Sequence, residues 1–159
     1  MRTELWYPAG FPWKKERSAQ RAGLILACAA ALLFFLSQFQ PVIYLLYAGG
    51  LAGEELMPPF SAFLGGFWSP FLVLALCQPA VALGHYLYHY QGGRSIYRMR
   101  TLPQRGELAR RCLAAPAAAL GRCIPAALGT AALCALYYRI LIPAGSLPAH
   151  WLGGALCWN

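Results

Sequence analysis

The chain has 159 residues, of which 59% are hydrophobic and 11% are charged. A soluble domain carries about 25% charged residues, so this composition excludes an ordinary water-exposed surface and favours a protein that folds in a lipid bilayer. The net charge of +8 comes from basic residues that flank apolar runs, as in cytoplasmic loops, and we expect no binding of nucleic acid.

Residues 1–21 combine aromatic and basic side chains ahead of the first apolar run. Trp6 and Trp13 stand near Lys14 and Lys15. Such pairs suit the headgroup layer of a membrane, where aromatic rings lie at the interface and cations meet anionic phosphates. We therefore predict an interfacial segment on the cytoplasmic leaflet. A solvated tail is the alternative interpretation.

The first apolar run, residues 22–47, is predicted to form span 1. At about 1.5 Å per residue it exceeds the ~30 Å hydrocarbon core, so we expect tilt or a kink. Gln38 and Gln40 precede Pro41 within this run. Because an amide is costly in lipid, we predict that both glutamines face other helices or a cavity.

Span 2 is predicted at residues 60–88. The loop before it, residues 48–59, contains no Lys or Arg and is therefore placed outside. Gln78, next to Pro79, is a further amide inside a span. We predict that it forms a hydrogen bond with Gln38 of span 1.

Span 2 ends in a stretch that contains His85 and His89, four residues apart and therefore on one helix face. We interpret both as part of an aromatic belt with the neighbouring tyrosines. A metal or haem site is the alternative. Zinc requires three or four ligands, and the remaining histidine, His150, is predicted on the opposite side of the membrane.

The segment 91–111 carries six arginines against one glutamate, which marks it as cytoplasmic. Ser95 is suited to cap a short helix and Pro103 to end it. We therefore predict a short interfacial helix between spans 2 and 3. The same arginines also suit the binding of anionic lipid.

The run from residue 93 to residue 108 resembles the cytoplasmic segment after the second helix of type-2 ABC exporter permeases. In that family an S…LP..R..L stretch forms the coupling helix that docks on the ATPase subunit. The matching positions here are Ser95, Leu102, Pro103, Arg105 and Leu108. The order of predicted elements is similar over about the first 140 residues. Since these permeases have six spans, the resemblance implies a half-size, truncated or accessory membrane subunit.

Span 3 is predicted at residues 114–142, where many small residues allow close helix packing. The tail, residues 143–159, has an apolar part too short to span, which would lie in the outer interface or begin a fourth span in a longer ancestral protein. The sequence thus predicts an all-α transmembrane helical bundle with three spans. Its N-terminus is inside, its C-terminus is outside, and residues 1–159 form a single membrane domain.

The pattern of reactive side chains favours a protein without chemistry of its own. The sequence contains no recognisable nucleophile–base pair or phosphate-binding glycine loop, so we expect a non-enzymatic protein without cofactor or metal. The leading hypothesis is a membrane subunit or accessory component of an ABC-type export system in a bacterial plasma membrane. Its expected partners are a cytoplasmic ATP-binding cassette subunit, and other membrane subunits or a second copy.

Two alternatives belong to other functional classes. One is a structural or interaction membrane protein with no transport role. The other is a membrane-bound redox protein that uses His85 and His89.

Overall fold

The computed structural model describes residues 12–48, 57–91, 107–143 and 147, without the side chains of residues 89–91, 107, 108 and 111. Within these ranges the chain is helical and contains no strand. Helix α1 is Trp13–Tyr47, a short 3-10 helix is Phe60–Leu64, α2 is Ser69–Gln91, and α3 is Glu107–Leu141.

All three long helices are long and apolar enough to cross a membrane. The qualifying stretches are Trp13–Tyr47, Ser69–Tyr88 and Cys112–Leu141. Large aliphatic side chains stand on their exposed faces: Ile25 is 70% exposed, Leu76 76% and Ile140 71%. Such a surface is unfavourable in water and matches hydrocarbon. The predicted all-α fold with three spanning helices is therefore confirmed for the part of the chain that the structure describes.

The helices differ from the predicted spans mainly at their starts. Helix α1 begins at Trp13 and α3 at Glu107, whereas the corresponding spans were predicted to begin at residues 22 and 114. Span 2, predicted as one run over 60–88, is divided into the 3-10 helix, a turn and α2. Pro70 lies in the first turn of α2, where its missing N–H would have no helical partner in any case.

The chain forms two compact units, and each contains segments of all three long helices. The first, called the aromatic unit, comprises the described residues 26–48, 57–71, 126–143 and 147. The rings of Phe35 and Phe39 on α1 stack at 5.2 Å. Phe63 meets Phe39 edge-on at 5.4 Å. The fully buried Tyr138 lies against these rings and donates a 2.7 Å hydrogen bond to the carbonyl of Pro58.

Close contacts between neighbouring segments complete the aromatic unit. A Cβ atom added at Gly66 would lie 3.2 Å from Cδ1 of Phe34, so the backbone after the 3-10 helix passes close to α1. The Tyr47 hydroxyl donates a 3.0 Å hydrogen bond to the carbonyl of Leu141. This bond joins the C-terminal ends of α1 and α3.

The second, called the polar unit, comprises the described residues 12–25, 72–91 and 107–125. Its α3 segment buries small residues at three- and four-residue spacing, namely Cys112, Ala115, Ala119 and Cys123. Small side chains let neighbouring helices approach closely. On α1, Gly23 has the same effect, since an added Cβ atom would lie 3.2 Å from Cδ1 of Leu74.

Several predicted segments lie wholly or mostly outside the described residues. They are the N-terminal segment up to residue 11, most of the loop before span 2, most of the segment 91–111 with its interfacial helix, and most of the tail. The N-in, C-out orientation and the single membrane domain remain predictions.

Candidate functional site

The candidate site of the polar unit is built around His85, a buried histidine on α2 that is 1% exposed. Its Nδ1 atom lies 3.2 Å from the carbonyl oxygen of Cys112 on α3. Its Nε2 atom lies 2.5 Å from Oε2 of Glu16 on α1. The imidazole therefore connects all three helices within this unit.

The chemistry of these contacts determines where the His85 protons lie. A carbonyl oxygen only accepts, so Nδ1 donates to Cys112. One further proton lies between Nε2 and the carboxyl group of Glu16. The pair is thus either imidazolium with carboxylate or neutral imidazole with carboxylic acid, and in both forms the two groups are hydrogen-bonded.

Two more side chains extend this network along α1 and α3. The amide Nε2 of Gln20 donates a 2.8 Å hydrogen bond to Oε1 of Glu16, one helical turn away. Arg122 donates from Nη2 to Oε1 of Gln20 at 3.1 Å and from Nε to the carbonyl of Ala118 at 3.0 Å. The guanidinium of Arg122 is therefore held by two acceptors rather than free to rotate.

A cavity of about 300 Å³ opens beside this network, inside the polar unit. It is lined by Arg17, Gln20, Arg21, Leu24, Leu74, Gln78, Ala119, Arg122 and Cys123. Three of these side chains are guanidinium groups and two are amides. The volume is at the lower end of the range for small-ligand sites.

Gln78 is the buried amide of this cavity, with 3% of its surface exposed. Its Nε2 atom donates a 3.1 Å hydrogen bond to the carbonyl of Leu74, one turn earlier in α2. Its Oε1 atom is buried and has no hydrogen-bond partner. The Gln78 amide therefore forms a local bond within α2 in place of the predicted bond to Gln38.

The structure places the other predicted site residues differently. Gln40 is exposed on α1. Gln38 is also exposed, but its amide lies beside the turn after the 3-10 helix, where a Cβ atom added at Gly65 would lie 3.9 Å from Nε2. Of the coupling-like set, Ser95, Leu102, Pro103 and Arg105 lie outside the described residues, and Leu108 is described only as backbone within α3.

Sequence reasoning identified Gln78 but missed the contact between Glu16 and His85. The sequence pattern favours an aromatic belt for His85 and an interfacial segment for residues 1–21, which include Glu16. The contact depends on α1 beginning at Trp13, which carries Glu16 into the helix. The four-residue spacing of Glu16 and Gln20 on one face was the available signal.

The His85 contacts also bear on the redox alternative. Both ring nitrogens of His85 already face protein acceptors, so neither is directed at a metal or haem iron. Within the described ranges no three His, Cys, Asp or Glu side chains are grouped as metal ligands. The side chain of His89 is not among those that the structure describes.

No family model matches the chain, and neither a curated protein nor a solved structure matches it.

Proposed function

We propose that the chain is a non-enzymatic membrane subunit that works in a larger membrane assembly, and specifically in an ABC-type export system of a bacterial plasma membrane. The observation that carries the assembly role is the exposure of Gln40 on α1. Within the described residues, its amide has no hydrogen-bond partner.

The position of Gln40 makes its exposure significant. Apolar residues lie before it over 22–36 and after it over 42–47, so it lies inside the apolar stretch and not at its end. An amide that faces lipid lacks a hydrogen-bond partner, which is unfavourable. A helix of another subunit that packs against Gln40 would supply a partner, as polar side chains do between membrane helices.

The export role is supported by the motif that connects α2 to α3. Residues 93–108 resemble the coupling helix of type-2 ABC exporter permeases, and they join helices that end at Gln91 and begin at Glu107. The hydrogen bond from His85 to Cys112 links these two helices a short distance from the connection. A coupling segment held by two linked helices would pass motion of an ATPase subunit to both.

Photo-crosslinking tests the assembly role. A photo-reactive residue placed at Gln40 should crosslink to another membrane protein in native membranes. The matched control is Leu45, which is also exposed on α1 but lies about 140° away around the helix. Equal crosslinking at both positions, or none at either, would contradict the proposal.

Co-purification with an ATP-binding cassette subunit tests the export role. The full-length chain should retain that subunit, and Leu102→Glu should release it because a carboxylate would disrupt an apolar docking face. Arg139→Gln, at the opposite end of α3, is the control and should retain it. If residue 40 crosslinks only to a second copy and no ATPase subunit is retained, the protein is instead a self-associating membrane protein without transport activity.

A further inference from the structure

We propose that the cavity of the polar unit binds a phosphate-bearing anion through Arg17, Arg21 and Arg122, with Gln78 accepting a hydrogen bond from a donor on the same ligand. None of these residues is among those on which the proposed function rests.

The charges around the cavity favour an anion. All three arginines line it, and within the described side chains none of them forms an ion pair. The nearby carboxyl group of Glu16 is already engaged by His85 and Gln20. Three guanidinium groups around one cavity repel one another, and a phosphate offers oxygens that each can bind.

Arg122 is preorganised for binding an anion. Its contacts with Gln20 and Ala118 restrain the guanidinium group at the cavity wall. A restrained donor loses less conformational entropy when a ligand binds than a free side chain would. Gln20 is in turn restrained by its hydrogen bond to Glu16. The contacts around His85 therefore also limit the movement of Arg122.

Gln78 adds a requirement for a hydrogen-bond donor. Its Oε1 atom is buried without a partner, and an unsatisfied buried acceptor is destabilising. A ligand that carries a hydroxyl group beside its phosphate would satisfy it. The arginine side chains select the phosphate, and the amide selects among phosphates by their substituent.

The location of the cavity along α1 suits a lipid headgroup. Arg21 directly precedes the unbroken apolar run 22–36 and Arg17 lies one helical turn before it; arginines at the end of such a run reach the headgroup layer. The cavity volume of about 300 Å³ is roughly ten times the ~30 Å³ that one water occupies, so a phosphate with a small substituent fits. A phospholipid and a soluble phosphate share this chemistry, and the experiment separates them.

The test uses the full-length protein in detergent micelles, with lipid binding measured by native mass spectrometry. Phosphatidylglycerol, which has headgroup hydroxyls, should bind saturably and at least fivefold more tightly than phosphatidylcholine. Arg21→Gln and Arg122→Gln should each weaken this binding about fivefold, the contribution of one cation near an anionic surface. The matched control Arg139→Gln removes a charge from α3 in the aromatic unit and should leave the affinity unchanged.

A second comparison tests Gln78 without relying on a charge change. Wild-type protein should bind phosphatidylglycerol about fivefold more tightly than phosphatidylmethanol, which has the same charge but no hydroxyl group. Gln78→Leu should abolish this preference. Equal binding of the two lipids by wild-type protein would contradict the role of Gln78.

Inorganic phosphate is the soluble arm of the experiment. If it raises the melting temperature saturably in wild type but not in Arg122→Gln, while phosphatidylglycerol does not bind, the site is for a soluble phosphate compound. Equal phosphatidylglycerol affinity in wild type and in folded Arg21→Gln and Arg122→Gln proteins would overturn the proposal. An equal loss of phosphatidylglycerol affinity in Arg139→Gln would also overturn the proposal, because binding would then depend on net charge rather than on the cavity.

Discussion

The Nε2 atom of His85 lies 2.5 Å from the Oε2 atom of Glu16, although the two residues are 69 positions apart in the chain. Both are largely removed from solvent, with His85 1% and Glu16 13% exposed. Because a partner left alone in a buried pair keeps its desolvation cost, the contact should matter to stability as well as to the position of α1.

Glu16→Gln should therefore lower the free energy of unfolding by about 1.5–3 kcal/mol, the usual range for a hydrogen bond to a charged group. Unfolding in micelles by a denaturing detergent measures this change. Lys15→Gln, an exposed neighbour, is the control and should have little effect. In a double-mutant cycle with His85→Gln, the two losses should be far from additive; additive losses would show that the pair does not interact.

Tyr138 offers a prediction for the aromatic unit. Tyr138→Phe removes the hydroxyl that donates to Pro58 and should reduce stability by about 1–1.5 kcal/mol, since the carbonyl loses a buried donor. The neighbouring Tyr137 is 45% exposed, so Tyr137→Phe is the matched control. Thermal unfolding followed by circular dichroism in micelles compares the two, and an equal effect would contradict the structure.

Gly66 tests the close approach between α1 and the segment after the 3-10 helix. A Cβ atom there would lie 3.2 Å from Phe34, whereas one at Gly129 would meet nothing within 4 Å. Gly66→Leu should displace the Phe34 ring and lower the melting temperature. Gly129→Leu should be neutral or stabilising, because leucine favours helix more than glycine does. A reversed order of the two variants would refute the packing.

Replacing Gln78 should affect protein stability and ligand affinity in different ways. Gln78→Leu removes a buried acceptor that has no partner, so we expect the melting temperature to stay equal or rise while the affinity for phosphatidylglycerol falls. Gln38→Leu should act independently, with effects that add to those of Gln78→Leu. Non-additive effects would instead support the hydrogen bond between the two glutamines that the sequence predicts.

Much of the fold could be predicted because lipid imposes a simple constraint. Every backbone group in hydrocarbon needs a partner, so a long apolar run becomes a helix. The runs at 22–47 and 114–142 both lie within observed helices except at the last residue, Ile142. The division of the predicted span 2 was missed because apolar content alone does not distinguish a 3-10 helix followed by a turn from the start of a long helix.

The candidate site, like the fold, could be predicted from the sequence only in part. Gln78 was identified from the sequence, because an amide is conspicuous in an apolar run. Its partner was not, since a side-chain amide can bond to its own helix as readily as to another, and here it bonds to Leu74. The connection of Glu16 to Arg122 through Gln20 was not predicted, because it depends on side chains of different helices.

The amino-acid sequence by itself determined that this protein is helical and suited to lipid, because hydrophobicity along one helix is a local property. Only the tertiary structure decided that His85 contacts Glu16, that three arginines share one cavity, and that Gln40 remains exposed. These relationships depend on how each helix is rotated and how far it slides along its neighbours. Packing of small residues and rings sets both quantities, and neither can be read from a single run of residues.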